Sequence, residues 1–187
     1  MKQYLFNINN ISPQQAEQCL SLMSDSRKKY INSISNKKRR NESIAGEWLL
    51  RNAVSQFCGI ESNEIKIERT DKGKPYIKDT DIFVSLSHSG DFVAVAVDYV
   101  PIGIDIEVIK PLNLRVAHKV CSESDKRFIL TGETEEQRLI NFLKIWTAKE
   151  AYFKKTGTGI THIKELSYKD IKALHFINEN ILITVVN

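Results

Sequence analysis

Apolar and polar residues alternate in several short segments of this chain, and a period of two residues is typical of strands. These segments predict strands at 3–8, 64–68, 82–87, 92–97, 102–107, 174–176 and 181–186. The turn Ser89-Gly90-Asp91 separates two of them and predicts a β-hairpin. A shorter hairpin is predicted from the strands at 174–176 and 181–186, which the turn at 178–180 separates.

In the other segments apolar residues recur every three or four positions, which predicts amphipathic helices. We expect these helices at 12–23, from 25 through the basic segment that follows, and at 42–57, 112–120, 122–130 and 134–155. Ser12 with Pro13 forms a typical helix start, and Asp25 is expected to cap the second helix. Gly59 and Gly157 stand where helices should end.

The order of these elements is strand, helices and strands, and it occurs twice. This order predicts the α+β class with two similar lobes. We expect an N-terminal lobe at 1–100 and a C-terminal lobe at 101–187. No literal repeat of sequence accompanies the order, so the duplication is inferred from the elements alone.

Composition is that of an ordinary globular protein, since 42% of the residues are hydrophobic and 27% are charged. The apolar runs are too short to span a membrane, and the first residues lack the apolar core of a signal peptide. Three widely spaced cysteines, Cys19, Cys58 and Cys121, argue against a disulfide framework. We therefore expect a cytoplasmic protein without a membrane partner.

Basic residues are concentrated between positions 28 and 40, in a chain of net charge +4. They are Lys28, Lys29, Lys37, Lys38, Arg39 and Arg40. Such a run is typical of a solvated helix face, and it also suits a phosphorylated ligand or an acidic protein. Nucleic acid is disfavoured because no aromatic residues are interleaved with the charges.

Acidic side chains in two segments suggest metal chemistry. On a strand at 102–107, Asp105 and Glu107 point to one side, and on the last long helix Glu150 and Lys154 are one turn apart. With Lys149, these residues would place three carboxylates and two ammonium groups together, which suits a divalent ion bound to a polyphosphate. The alternative is an exposed acidic strand face and a surface Lys–Glu pair.

Two polar turns are candidates for anion binding. The segment 85–89 contains hydroxyls and His88 at a strand end, where turn amides add donors, although a plain hairpin tip has the same composition. A Ser–His hydrolase is disfavoured, since no Gly-x-Ser-x-Gly motif is present and Ser87 and His88 alternate faces. Lys74, in the turn at 73–76, is placed to reach a phosphate or only to complete the turn.

These segments resemble the motifs of the 4′-phosphopantetheinyl transferases, in particular the longer, two-lobed class exemplified by the surfactin-synthetase activating enzyme. The motifs are Gly73-Lys74-Pro75, Ser85-x-Ser87-His88-Ser89, Gly103-Ile104-Asp105-Ile106-Glu107 and Trp146-x-x-Lys149-Glu150-x-x-x-Lys154. The family transfers the phosphopantetheine arm of coenzyme A to a serine of an acyl, peptidyl or aryl carrier protein and releases adenosine 3′,5′-bisphosphate. The resemblance implies two lobes forming a pseudo-dimer within one chain, a monomer, and an active site in the cleft between the lobes.

The resemblance also implies a role for each matched residue. Mg²⁺ on the pyrophosphate would be held by Asp105, Glu107 and Glu150. Phosphate charge would be neutralised by Lys149 and Lys154, and Lys154 would also assist proton transfer. The remaining matched residues would bind coenzyme A, with Ser87 and His88 at the 3′-phosphate and Lys74 at the adenosine end.

The motifs leave three candidates for the base that would deprotonate the carrier serine. Asp125 lies where the family usually has Glu, and Glu123 or a metal-bound water are the alternatives. An acid at this helix start can also act simply by stabilising the helix dipole. The arginine that the family has before the third helix is absent; Arg40 is nearest, Lys29 is placed to contribute, and Glu42 occupies the position.

The sequence leaves two rival functions open. One is a binding module that retains affinity for coenzyme A or a carrier protein but has lost transfer, which Asp125 suggests. The other is a basic nucleic-acid-binding protein that uses the segment 28–40. The resemblance implies an apo acyl or peptidyl carrier protein as the partner, in fatty-acid or secondary-metabolite biosynthesis. Carrier proteins are typically acidic, and the basic charge of the chain would assist encounter with them.

Overall fold

The computed structural model of the protein describes residues 1–112 and 114–187. Contacts within the chain divide it into an N-terminal unit, Met1–Pro101, and a C-terminal unit, Ile102–Asn187. Each unit packs helices on antiparallel strands, which confirms the predicted α+β class.

The N-terminal unit consists of a three-stranded sheet, a small hairpin and three helices. In chain order its elements are β1 (Lys2–Asn7), α1 (Pro13–Leu22), α2 (Asp25–Ser33), α3 (Lys37–Cys58), β2 (Ile67–Arg69), β3 (Pro75–Ile77), β4 (Phe83–Ser89) and β5 (Phe92–Asp98). The sheet has the order β1-β5-β4, and β2 pairs with β3. The hairpin predicted around Ser89-Gly90-Asp91 is confirmed as β4 and β5.

Helix α3 supplies the core of this unit. Its buried residues include Leu50 and Val54, which pack with Val84 of β4 and Val95 of β5 in one apolar cluster. The helix ends at Gly59, whose φ of +76° is left-handed and therefore suits glycine. In helix α1, the predicted start is confirmed by a reciprocal capping box between Ser12 and Gln15.

The basic segment was predicted as part of one helix, and the structure corrects this. Helix α2 ends at Ser33 and α3 begins at Lys37, because the Asn36 side chain accepts a hydrogen bond from the backbone N–H of Arg39 and caps a new helix. The cap of α2 is Ser24 rather than Asp25. The basic residues are therefore distributed over two helices.

The strand predicted at 64–68 is also corrected. Strand β2 covers only Ile67–Arg69, and its partner β3 was not predicted as a strand. A three-residue strand gives too little alternation to be recognised, and Pro75, which cannot donate a hydrogen bond, marks its first residue.

The C-terminal unit is built around one long helix on a three-stranded sheet. Its elements are β6 (Gly103–Val108), α4 (Ala117–Val120), α5 (Glu123–Leu130), α6 (Glu135–Thr156), β7 (Ala173–Asn178) and β8 (Ile181–Val186). The sheet order is β6-β8-β7, and α6 packs on β6 and β8. The predicted β7–β8 hairpin and the end of α6 at Gly157, with φ of +70°, are confirmed.

Only part of the helix predicted at 112–120 is present. A 3-10 turn at Leu114–Val116 leads into the single turn α4, while Asn113 lies outside the described residues. Helix α5 then begins at a new cap, Ser122, whose side chain accepts from the backbone N–H of Asp125.

Candidate active site

Gly103 determines how closely strand β6 approaches helix α6. A Cβ atom at this position would lie 1.8 Å from the Ala151 carbonyl oxygen and 2.8 Å from the Lys155 nitrogen. Both neighbours are helix backbone, so no rotamer change would relieve the overlap. A glycine inside a strand often marks the close approach of a ligand or another backbone, and at Gly103 the structure shows the backbone of α6.

This close packing brings Asp105 of β6 to Lys154 of α6. The Lys154 Nζ donates to Asp105 Oδ1 at 2.6 Å. The Asp105 side chain is 7% exposed and that of Lys154 is 30% exposed. The ammonium group thus neutralises the carboxylate in a site with limited access to water.

The second acid of the strand is held by a tryptophan. The indole Nε1 of Trp146 donates to Glu107 Oε1 at 3.3 Å. Trp146 and Glu107 also line an apolar cavity of about 300 Å³, together with Phe142 and Leu143 of the same helix.

Glu150 completes the acidic group. It is 9% exposed, and burial is the main reason that its pKa is raised to about 7. The neighbouring carboxylate of Asp105 raises the pKa further and Glu107 adds a smaller effect, while Lys154 acts in the opposite direction. The structure therefore places the three predicted carboxylates and Lys154 within electrostatic reach of one another.

These carboxylates do not form a ready metal site. Among the described residues, no group of three or more His, Cys, Asp and Glu side chains is arranged to hold a metal ion. Lys154 donates a hydrogen bond to Asp105 and Trp146 donates one to Glu107, so both acids already have a donor. The hard oxygen donors and their mutual repulsion nevertheless fit a small divalent cation.

Lys149 lies on a different side of α6 from this group. Its side chain is 0% exposed, and its Nζ lies 2.7 Å from Asp125 Oδ2, which is itself 1% exposed. Lys149, predicted to bind phosphate, and Asp125, predicted to act as the base, thus pair with each other inside the unit. By contrast, the alternative base Glu123 is exposed and pairs with Lys126.

Of the predicted coenzyme A residues in the N-terminal unit, Ser87 and His88 lie on opposite faces of β4. Ser87 is buried, whereas the His88 side chain is 60% exposed with its Nδ1 3.9 Å from Glu42 Oε2. Because a strand alternates faces, His88 shares the face of Leu86, on which α3 packs.

The three predicted basic residues of the N-terminal unit lie on three different elements, namely α2, α3 and the turn before β3. Lys29 is exposed on α2, and Arg40 donates to Asn32 Oδ1 at 3.0 Å. Lys74 is half-buried, and burial lowers its pKa.

Two arginines that the sequence did not single out converge on a buried acid. The Glu47 side chain is 2% exposed, and its Oε2 accepts from Arg27 Nε at 3.2 Å and from Arg69 Nη2 at 3.1 Å. Arg69 also donates to the Gly73 carbonyl, which ties the glycine turn to α3. An acid on the apolar face of a predicted helix was the one sequence signal for this pairing.

Two cavities meet at this buried network. The larger, of about 600 Å³, is lined by Arg27, Glu47, Arg69 and Gly73 among others. The smaller, of about 170 Å³, shares both arginines and adds His88. His88 is therefore the predicted residue that lies with these arginines.

Sequence profiles of known families match both units. The profile of the 4′-phosphopantetheinyl transferase superfamily matches residues 101–184, and that of the N-terminal part of 4′-phosphopantetheinyl transferases matches 10–100. Among the helices that the structure describes, none has the length and apolar character that a membrane span requires.

Two curated relatives carry the same family name. The 4′-phosphopantetheinyl transferase psf-1 of Bacillus pumilus is 38% identical over 120 residues, which are 64% of this chain and 51% of the relative. The enzyme Sfp of Bacillus subtilis strain 168 is 30% identical over 152 residues, 81% of this chain and 67% of the relative. The match thus spans between about half and two thirds of these proteins.

A solved structure gives a weaker likeness. The holo-[acyl-carrier-protein] synthase of Thermotoga maritima has a TM-score of 0.34 and 22% identity, covering 46% of this chain and 61% of that one.

Between them the two profiles cover nearly the whole chain, and one relative is matched over two thirds of its length. The chain therefore belongs to the 4′-phosphopantetheinyl transferase superfamily.

Proposed function

We propose that this protein transfers the 4′-phosphopantetheine group of coenzyme A to a serine of an apo acyl or peptidyl carrier protein. The serine oxygen forms a bond to the phosphorus that bears pantetheine, and the pyrophosphate P–O bond breaks. The serine proton is lost, and adenosine 3′,5′-bisphosphate leaves. Membership of the superfamily and the names of the matched relatives support this reaction.

One observation carries the proposal, the grouping of Asp105, Glu107 and Glu150 beside Lys154. Transfer of a phosphoryl group needs positioning and neutralisation of charge more than covalent help. In our proposal the three carboxylates would hold Mg²⁺, and the ion would supply positive charge to the pyrophosphate. Lys154 leaves Asp105 for a phosphate oxygen, since an ammonium group binds either anion.

Coenzyme A is proposed to contact the N-terminal unit through its adenosine end. The arginines around Glu47 provide positive charge, and the arginines and the nearby His88 provide hydrogen-bond donors beside the two cavities. Lys74 follows Gly73 in the same turn. In this assignment Ser87, Lys29 and Arg40 remain predicted contacts of the coenzyme.

The proposed partner is an acidic carrier protein. A chain of net charge +4 is attracted to such a surface, which speeds encounter at low ionic strength. A monomeric state, a cytoplasmic location and the lack of a nucleic-acid partner stay predictions from the sequence.

The decisive test is intact-protein mass spectrometry. An apo acyl carrier protein and an apo peptidyl carrier protein are each incubated with this protein, coenzyme A and Mg²⁺, with EDTA in a parallel sample. We expect each accepted carrier to gain the mass of one phosphopantetheine group, and EDTA to prevent the gain. The variant Asp105→Asn, which keeps the shape of the side chain, should lower the rate by about 10²-fold or more.

Other outcomes would assign another function. Binding of coenzyme A without transfer to either carrier would support a binding module that has lost the reaction. Failure to bind coenzyme A, with salt-dependent binding to nucleic acid, would replace the proposal by the basic nucleic-acid-binding protein.

A further inference from the structure

The Lys149 side chain is fully buried, and its ammonium group is surrounded by protein oxygens. Besides Asp125 Oδ2, its Nζ donates to the carbonyl of Val120 at 2.7 Å and to that of Ile163 at 3.0 Å. An ammonium group has three N–H donors, so these acceptors use all of them. No donor of Lys149 remains for a phosphate.

Both oxygens of Asp125 also accept hydrogen bonds from the surrounding protein. Its Oδ1 accepts from the backbone N–H of Tyr168 at 2.9 Å, and its Oδ2 accepts from that of Ser122 at 2.9 Å as well as from Lys149. Burial is the largest single influence on the pKa of Asp125 and would raise it, but the hydrogen bonds together outweigh burial and lower the pKa. The carboxylate therefore stays charged inside the unit.

These contacts join four separate parts of the C-terminal unit. Val120 ends α4, Ser122 caps α5, Lys149 lies on α6, and both Ile163 and Tyr168 belong to the segment between α6 and β7. A further hydrogen bond, between the hydroxyls of Ser124 and Ser167 at 2.9 Å, joins two of the same parts. On α6 the next residue after Lys149 is Glu150.

We propose that Asp125 is a positioning residue and not the base of the reaction. With Lys149 it forms a clasp, defined as Asp125, Lys149 and their backbone partners, that fixes the segment 163–168 and the start of α5 against the turn of α6 that carries Glu150. A base must come within hydrogen-bond reach of the serine hydroxyl, and the Asp125 side chain is 1% exposed and paired with Lys149 inside the unit. The statement about the base rests on the proposed function, whereas the clasp does not.

The clasp is tested first without any activity assay. The variants are Asp125→Asn, Lys149→Met and the double variant, and the readout is the thermal midpoint. Each single change leaves one buried partner without its counter-charge and should lower Tm by about 10 °C. The double variant removes both charges and should recover at least half of that loss. The control Glu135→Gln removes an exposed acid from the first turn of α6 and should shift Tm by less than about 2 °C.

Hydrogen exchange in the unaltered protein is a second measurement, which does not depend on any variant folding. The backbone amide of Tyr168 should be protected as strongly as amides in the middle of α6, because its acceptor is buried. Exchange as fast as in an exposed loop would overturn the clasp, and so would a double variant less stable than both single ones.

Transfer kinetics then separate positioning from acid–base chemistry. If Asp125 is a positioning residue, the double variant should recover transfer to within about tenfold of the unaltered enzyme, with the same shape of the pH profile of kcat. Persistent loss in the double variant, with the ascending limb of the profile abolished, would make Asp125 the base. A rise of about tenfold or more in the KM for coenzyme A in Lys149→Met, at unchanged Tm, would restore the phosphate role of Lys149.

Absence of transfer in the unaltered protein would refute the proposed function and leave the stability and exchange results to decide the clasp.

Discussion

Lys154 is seated on Asp105, where the proposed cation would also need to bind. The 2.6 Å contact between Nζ and Oδ1 neutralises the carboxylate. Lysine and cation therefore compete for the same oxygen unless a phosphate group draws the lysine away. The protein would bind Mg²⁺ weakly alone and more tightly together with coenzyme A.

The variant Lys154→Met tests this competition. Without the ammonium group, Mn²⁺ binding to the coenzyme-free protein should tighten by about threefold to tenfold, because the positive charge of Lys154 no longer competes with the ion for Asp105. Transfer should fall by about 10²-fold, because a donor to the phosphates is lost. Electron paramagnetic resonance of free Mn²⁺ measures the affinity. Lys169→Met, at an exposed lysine of the same unit, is the control, and weaker Mn²⁺ binding in Lys154→Met would contradict the competition.

Trp146 orients a proposed metal ligand through its indole N–H. Trp146→Phe keeps an aromatic ring on α6 and removes the donor to Glu107, so we expect divalent-ion affinity to fall by about tenfold. Titration with Mn²⁺, followed by paramagnetic resonance, gives the affinity directly. Trp48→Phe, which alters a tryptophan packed on Phe6 in the N-terminal unit, should leave it unchanged. Equal affinities in both variants would show that the indole N–H does not matter for the ion.

At the level of elements, the close contact of β6 with α6 depends on Gly103, because glycine has no side chain. Gly103→Ala would place a methyl group inside the van der Waals radius of the Ala151 carbonyl oxygen. Strand and helix must separate, and we expect a loss of about 3 kcal/mol or more in the free energy of unfolding, measured by urea denaturation.

Gly46→Ala is the matched control for this change. Its Cβ would lie 3.1 Å from the end of the Leu86 side chain, which is able to move, and alanine favours the helix by about 1 kcal/mol over glycine. The free energy of unfolding should then change by less than about 1 kcal/mol. Equal losses in the two variants would mean that the strand–helix contact at Gly103 is not the tight one.

A chain of hydrogen bonds connects the hairpin of the C-terminal unit to α6. His175 of β7 bonds Tyr168 through Nε2 at 2.9 Å and Thr184 of β8 through Nδ1 at 2.8 Å. Thr184 lies 2.6 Å from the hydroxyl of Thr147 on α6. Burial, and secondarily the positive charge of Lys144, lowers the pKa of His175 to about 4.

At the scale of the whole molecule, His175 makes stability depend on pH. The unfolded chain takes up a proton at a pKa of about 6.5 and the folded chain only near 4, so protonation favours unfolding. This contribution is complete above pH 6.5 and is lost as the pH falls from about 6.5 to 4, by roughly 2–3 kcal/mol after allowance for partial exposure.

The variant His175→Gln isolates this effect. The raised pKa of Glu150 acts in the opposite direction, since protonation of that acid favours the folded state as the pH falls from about 7. The difference between the free energies of unfolding of the two proteins removes the contribution of Glu150. It should decrease steadily between pH 6.5 and 4, as measured by urea denaturation, and a constant difference would mean that His175 titrates normally.

The molecule consists of two compact units, and the family profiles meet between residues 100 and 101. The α+β class, both hairpins and most helix ends were predictable, because strand alternation and end signals such as Ser12, Gly59 and Gly157 are local in sequence. The break between α2 and α3 was missed because Asn36 caps a helix within a run of polar residues, where periodicity gives no contrast.

The motifs, the mixed fold and the charged residues of the candidate site were predictable without coordinates, because they depend on residue types and short spacings. The partner of each charged side chain became known only from the folded chain. Lys149 and Lys154 are five residues apart on one helix, yet one is enclosed by carbonyl and carboxylate oxygens and the other meets Asp105 at a partly open site. Burial and the choice of ion partner depend on segments distant in sequence, such as 120–125 and 163–168, which pack around α6 only in the folded chain.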